Sequence, residues 1–438
     1  MSPRIVIIGA GPTGLGAGIR LKQLGHDNWR IYESQADPGG LAGSVTDSSG
    51  FTWDYGGHVL FTSFEPVLDV ITSLPDDFFI EHQRKAFVRL DDALVPYPFQ
   101  LNLDALPREK RPAILLGKKG KKKRSRPRNF LQWLDETFGP DLCSMFFYPY
   151  NQKVWGIPLE KMSYSWIENR ITTPQDSGKK AEWGPNSTFL YPRSGGMGGF
   201  FKAVSRNFMT RISFGHKVAE IDIESKTLVT HKGKTDKFDF LLTTMPLNLL
   251  VGTVATGVPD RLKDIGKRLE WNSCTVSGLG FSRPEKEDFS WQYFPEPTYP
   301  FYRVTALSSY SSSLVPKADT RRFSSFMCET TTQSQGVPDG NELVGALCKA
   351  KILEQNDRRR LKAHTRLDIP YAYPIPTIER DRVLAELQGF FHSYDIFSRG
   401  RFGGWKYEVG NMDHSLMQGM EAVDRMLLGK KERVYALS

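Results

Sequence analysis

The sequence predicts an α/β protein: a parallel sheet with a nucleotide-binding turn, a helical region, and an antiparallel sheet. Three observations lead there. A strand–glycine turn–helix–strand unit occupies Arg4 to Glu33, helical patterning fills Leu101 to about Arg170, and strand-like segments recur from Thr275 onward. Arg4-Ile-Val-Ile-Ile8 is a continuous apolar, β-branched run, the mark of a strand buried on both faces. It enters Gly9-Ala-Gly11-Pro-Thr13-Gly14, after which Leu15, Ile19, Leu21 and Leu24 recur along a helix. Trp29 to Glu33 is a second strand ending in a carboxylate. Gly9 makes the tight turn, Gly11 lets the backbone approach a pyrophosphate, and Gly14 lets helix and strand pack closely. The helix N-terminus offers free N–H groups to phosphates. Glu33, about 20 residues beyond the last glycine, can accept hydrogen bonds from a ribose diol. A glycine turn serving structure alone is the alternative. The flanking strand and helix, with the acid in position, favour a Rossmann-like dinucleotide site.

At 438 residues the chain is long enough for two or three domains. Hydrophobic content of 39% and mean hydropathy of −0.39 describe a soluble protein. The strand at the very start leaves no signal-peptide pattern. The most apolar window, Phe240 to Val258, is broken by Thr243, Thr244, Pro246 and Asn248, so no membrane partner is expected. Cys143, Cys274, Cys328 and Cys348 are scattered without metal-ligand spacing, which fits reduced thiols in a cytoplasmic protein. Of the net charge of +9, eight charges sit in one run: Lys118, Lys119, Lys121, Lys122, Lys123, Arg124, Arg126 and Arg128. That run could be a nuclear-localisation or nucleic-acid patch. It lacks interleaved aromatics for base stacking, so a solvated connection is favoured and nucleic acid is not the expected partner.

Along the chain, Glu81 to Phe99 is strand-like and ends in Pro96-Tyr97-Pro98-Phe99-Gln100. Thr173 to Asn186 is a polar loop, a candidate lid, and Phe189 to Phe208 passes through a glycine cluster into a helix. Ile212 to Thr244 alternates as a meander, and Thr275 to Phe281, Tyr299 to Ser309 and Phe323 to Thr330 are the antiparallel strands. Asn341 to about Lys362 reads as helical, and a last helix spans Met412 to Leu428 with Leu416, Met420, Val423 and Leu427 on one face.

Asp37-Pro-Gly39-Gly40-Leu41-Ala42-Gly43 resembles the second glycine cluster of amine-oxidase-like FAD proteins, and Asp54-Tyr-Gly56-Gly57-His58 their flavin-ring loop. More specific segments follow: Tyr97-Pro-Phe99-Gln100, Tyr150-Asn151-Gln-Lys-Val-Trp155, Trp183-Gly-Pro-Asn186, Phe301-Tyr302-Arg303, Tyr373-Pro374 and Gly400 to Asn411. Together they resemble the eukaryotic-type, flavin-dependent UDP-galactopyranose mutases, in order from about Ile5 to Leu428. The resemblance implies FAD bound across segments 1–80, 186–248 and 392–438. It implies a substrate sheet from 81–99 and 249–391, and a helical substrate-binding segment at 100–185.

The implied chemistry is isomerisation without net redox change. Reduced flavin N5 attacks the sugar's anomeric carbon, UDP leaves, and the sugar recloses as a furanose before UDP returns. NADPH is the implied reductant. Arg170 and Arg303 resemble the pair clamping the diphosphate, suited to it by their forked donors; an ordinary salt bridge is the plainer alternative for each. Tyr97, Phe99, Gln100 and Phe146 resemble the uracil pocket, with hydrophobic core as the alternative. Asn151 and Trp155, at i and i+4, share a helical face that can meet the nucleotide-sugar. Asn186, Trp291, Tyr293, Tyr373 and Tyr407 resemble the lining around galactose and phosphates. His58 resembles the histidine beside the flavin edge. Gly9, Gly11, Thr13, Gly14, Glu33, Gly40, Leu41, Gly57, Val218, Arg401, Gly410, Asn411, Met412 and Ser415 complete the implied FAD contacts. Ser63, where the family often has a second histidine, and Met412, in place of a polar residue, depart from the pattern. Two other functions remain open: a related mutase for another nucleotide-sugar, or an amine-oxidase-type flavin oxidase. A homo-oligomer is compatible with the resemblance.

Overall fold

The computed structural model describes residues 2–110, 126–167, 187–331 and 336–436. Arg170, Asn186, the candidate lid from Thr173 to Trp183 and the basic residues Lys118 to Arg124 lie outside the described residues. Ile5–Ile8 is the central strand of a five-stranded sheet, in the order Ile396–Ser398, Phe240–Thr243, Ile5–Ile8, Trp29–Tyr32, Ile212–Ser213. Every pairing is parallel, which explains why the central strand is apolar on both faces. Ile5 and Ile7 point into the core that holds Leu416, Met420 and Val423 of the last helix. Val6 and Ile8 point into the opposite core with Leu384, Leu387 and Phe391.

The first helix, Pro12–Gln23, and the last, Met412–Leu428, approach so closely that glycine is required at the crossing. A Cβ on Gly16 would lie 2.2 Å from the Leu416 carbonyl oxygen, and one on Gly419 would lie 1.9 Å from that of Thr13. Arg20 Nε donates to Asp424 Oδ1 at 2.6 Å and fastens the pair further along.

A seven-stranded sheet stands beside this unit, ordered Leu361–Pro374, Trp271–Phe281, Ser324–Thr331, Arg303–Ala306, Trp291–Tyr293, Ala86–Leu90, Ala93–Pro96. It is antiparallel except where Trp291–Tyr293 runs parallel to Ala86–Leu90. Its register places Val88, Tyr293, Arg303, Glu329 and Val276 in one row across five strands. Because side chains alternate faces along a strand, the row shares a face with the next row but one, Ala86, Trp291, Thr305, Met327 and Gly278. Gly278 leaves room for Trp53, whose ring would lie 2.5 Å from a Cβ there.

The helical region differs from the expected continuous pattern. After short 3₁₀ turns at Phe99–Leu101, Leu103–Ala105 and Arg108–Lys110, the first α-helix of this region among the described residues is Phe130–Phe138. Asn129 caps it, its side chain accepting from Gln132 N at 3.0 Å. Tyr148–Trp155 follows and is stopped by Gly156 at φ +69°. Helix from Asn341 to about Lys362 is likewise corrected. Gly340–Lys349 is helical, Lys351 turns left-handed at φ 57°, and Leu361–Pro374 is a 14-residue strand. Among the described residues no helix is long and apolar enough to cross a membrane.

Candidate active site

The C-terminal ends of the parallel strands open onto a cavity of about 870 Å³, where ligands bind in open α/β sheets. Gly9, at φ +99°, turns the chain so tightly that a Cβ would lie 2.0 Å from Thr244 Oγ1. Gly14 does not line the cavity but lets the helix sit on the turn; a Cβ there would be 1.9 Å from the Gly9 carbonyl oxygen. Glu33 is buried at the cavity wall, accepting from Ala10 N at 2.6 Å and Gln35 N at 2.7 Å. Gly11, Thr13, Gly40, Leu41 and Val218 complete this end.

At the other end stand Gly57, His58, Arg401, Gly410, Asn411, Met412 and Ser415, the last three at the start of the 17-residue C-terminal helix. Arg401 Nε donates to Ala372 O at 2.9 Å and Nη1 to Gly410 O at 3.1 Å. Burial first, then the neighbouring charges of Arg401 and Arg303, push His58 down to about 3, so its imidazole is neutral. Its Nδ1 is buried without a hydrogen-bond partner.

The sheet supplies the facing wall with Trp291, Tyr293, Arg303 and Thr305. Arg303 is held by Glu329, donating from Nε at 2.7 Å and Nη2 at 2.8 Å. The same carboxylate accepts from Tyr302 Oη at 2.8 Å and Gly57 N at 3.0 Å. Burial opposes the Arg303 charge, and Glu329 leads the interactions that outweigh it, so its pKa is raised. Behind the loop that carries Gly57 and His58, Asp54 is buried and accepts from Tyr191 Oη at 2.7 Å and Met197 N at 3.1 Å. Burial lifts its carboxyl to about 6 against the effect of those hydrogen bonds.

The remaining described residues expected at the substrate site stand behind this wall, joined to it through rings. Tyr97 meets Tyr293 at 5.0 Å between centroids; Phe99 meets Phe146 at 4.9 Å, and Phe146 connects through Tyr150 to Tyr293. Arg401 lies 4.9 Å from the Tyr373 ring centroid and 5.6 Å from that of Tyr407. Trp155 packs on Tyr407 and donates from Nε1 to Asn151 Oδ1 at 3.1 Å, so the i, i+4 pair does share a face. Gln100 is half-buried beside Phe99. Burial lifts the phenols of Tyr97, Tyr150, Tyr302 and Tyr373, which keeps them as neutral donors.

These residues fit a dinucleotide carrying an aromatic ring system. Two bare glycines and a helix N-terminus suit a pyrophosphate, a buried carboxylate suits a ribose, and an unpartnered histidine nitrogen waits at the far end. The profile of the family "flavin containing amine oxidoreductase" matches residues 12–424. A crystal structure of reduced UDP-galactopyranose mutase superposes with a TM-score of 0.91 at 34% identity, covering 100% of this chain and 96% of that one. The chain belongs to the UDP-galactopyranose mutase family. This family sits within the flavin-containing amine oxidoreductases, so the group the cavity fits is a flavin. Putrescine oxidase (TM-score 0.65, 13% identity, 98% of this chain and 99% of that one) shares the fold alone. So does the CLA-producing fatty acid isomerase from P. acnes (0.64, 14%, 97% and 99%).

Sequence reasoning missed Glu329, Thr305 and Arg84, although each borders or supports the cavity. Glu329 carried a usable signal: a single carboxylate inside an otherwise uncharged strand, Ser324–Thr331, which is buried throughout. Thr305 and Arg84 carried none: the sheet register brings Thr305 to the cavity, and Arg84 reaches it from the short link between the strands Phe79–Gln83 and Ala86–Leu90.

Proposed function

We propose that the protein interconverts UDP-galactopyranose and UDP-galactofuranose, with FAD as cofactor in its reduced form and NADPH as reductant. The observation that carries this reading is Arg303, a guanidinium fixed by a buried carboxylate on the same cavity as the nucleotide turn and His58. An oxidase acting on an amine has no need of a diphosphate-binding arginine there.

FAD would lie along Gly9, Gly11 and Thr13, with Glu33 on its ribose, Gly40, Leu41 and Val218 alongside, and Gly57, Arg401, Gly410, Asn411, Met412 and Ser415 at the ring. Bound and reduced, it supplies the nucleophile for the anomeric carbon, its N5. Arg303, joined by Arg170, holds the diphosphate and stabilises the charge on departing UDP. The Nη1 of Arg303 makes no hydrogen bond among the described residues and is the donor left for that role. His58 stays neutral, so it can orient a sugar or flavin group without adding a third cation. Trp291 and Tyr293 would face the sugar and phosphates, with Asn186 and the layer behind them, Tyr373, Tyr407, Asn151 and Trp155, completing that pocket; Tyr97, Phe99, Gln100 and Phe146 would take the uracil once this ring layer opens onto the cavity. The aromatic wall keeps water away while neutral phenols still donate.

The test is chromatography of UDP-galactopyranose incubated with the flavin-loaded protein, with and without dithionite. UDP-galactofuranose is expected only under reduction; its absence there refutes the assignment.

A further inference from the structure

Among the described residues, His58 Nδ1, Trp291 Nε1 and Thr305 Oγ1 are buried polar atoms without a hydrogen bond, and their side chains stand on the wall of this one cavity. Trp291 and Thr305 are 7% and 1% exposed and are direct cross-strand partners. A buried donor or acceptor left unpaired is costly, and folded proteins keep few of them unless something else satisfies them. The indole N–H only donates, whereas the threonine hydroxyl both donates and accepts. One ligand atom that accepts and donates, a hydroxyl, suits both.

A phosphate oxygen could also serve the indole, and charge separates the two sources. Arg303 pairs with Tyr293 two positions along the same strands, and its guanidinium is the group suited to phosphate. The Trp291–Thr305 pair is uncharged. It also stands beside the His58 loop, since a Cβ on Gly57 would lie 3.1 Å from Thr305 Oγ1. The Arg84 guanidinium covers the Trp291 ring at 5.2 Å, so that face is taken and the N–H edge is what the indole can offer a ligand.

We propose that Thr305, together with Trp291, recognises the sugar of the nucleotide-sugar by hydrogen-bonding a ring hydroxyl, while Arg303 takes the diphosphate. This deepens the mutase reading and rests on it. The test measures UDP-galactose and UDP affinities of the flavin-loaded protein as wild type, Thr305→Val, Thr305→Ser and Trp291→Phe. Thr305→Val should weaken UDP-galactose about tenfold, the worth of one neutral hydrogen bond, and leave UDP binding and the flavin absorbance unchanged. Thr305→Ser should restore most of that affinity, and Trp291→Phe should weaken the same ligand selectively. Thr305→Val binding UDP-galactose like wild type, or losing UDP and UDP-galactose alike, overturns the proposal. A wild type that shows this Thr305 dependence yet forms no furanose under dithionite leaves the sugar contact standing and sinks the mutase reading instead.

Discussion

Replacing Glu329 with alanine should destabilise the protein by about 4–6 kcal/mol. The carboxylate is 2% exposed and holds two other segments at once: the adjacent Tyr302 and Arg303, the latter through two bonds, and the Gly57 amide. Breaking a buried pair from one side costs about 3–5 kcal/mol, because the surviving charge is left without its counter-ion. The Arg303 side chain, 19% exposed, opens onto the cavity, so water can soften part of that cost. The lost bonds to Tyr302 and Gly57 add about 1 kcal/mol each. Denaturant unfolding of the flavin-loaded protein, followed by tryptophan fluorescence, measures the change. If the penalty comes from the stranded charge, Arg303→Met combined with Glu329→Ala should unfold later than Glu329→Ala alone. A double variant as fragile as the single, or a single variant as stable as wild type, refutes the reasoning.

Arg303→Ala should lower kcat/KM by roughly 2–4 kcal/mol of transition-state stabilisation, read by steady-state kinetics on reduced enzyme. Gly419→Ala should yield protein that purifies without flavin absorbance, because its Cβ would meet the Thr13 carbonyl oxygen at 1.9 Å and push the last helix off the nucleotide turn. Gly278→Ala should cost about 1–3 kcal/mol by driving a methyl into the Trp53 ring, measurable as a lower unfolding midpoint with flavin retained. His58, held to about 3, refuses a proton that the unfolded chain takes up below about pH 6.5, so its contribution to stability falls with acidification by up to about 1.4 kcal/mol per unit. Asp54, lifted to about 6, works oppositely, since the native state takes its proton first. His58→Gln should therefore lose less stability than wild type between about pH 7 and about pH 5, and equal losses would exclude this account.

The parts of the fold legible in the sequence are those whose residues contact each other locally. The strand, glycine turn and helix from Ile5 to Gln23 are legible because each step has its own chemical requirement. The last helix is legible because its apolar stripe follows one period throughout. Leu361–Pro374 was lost for a physical reason. Its outward positions, Lys362, His364, Arg366 and Asp368, are charged or polar at an exposed sheet edge, while Ala363 and Thr365 inside are too small to signal a core strand. The nucleotide end of the cavity was readable from glycines and one acid. The sheet wall was not, because Arg303, Glu329 and Thr305 meet only through a register set by strands far apart in sequence.

The crossing of the first and last helices has a consequence for how the protein is made. Arg20 and Asp424 are 404 positions apart, yet the elements they join form opposite lips of one groove. Synthesis delivers the phosphate-binding lip about four hundred residues before its counterpart. The yellow prosthetic group therefore cannot be gripped from both sides until both helices have left the ribosome. Its retention reports that the seventeen-residue helix Met412–Leu428 has locked in place.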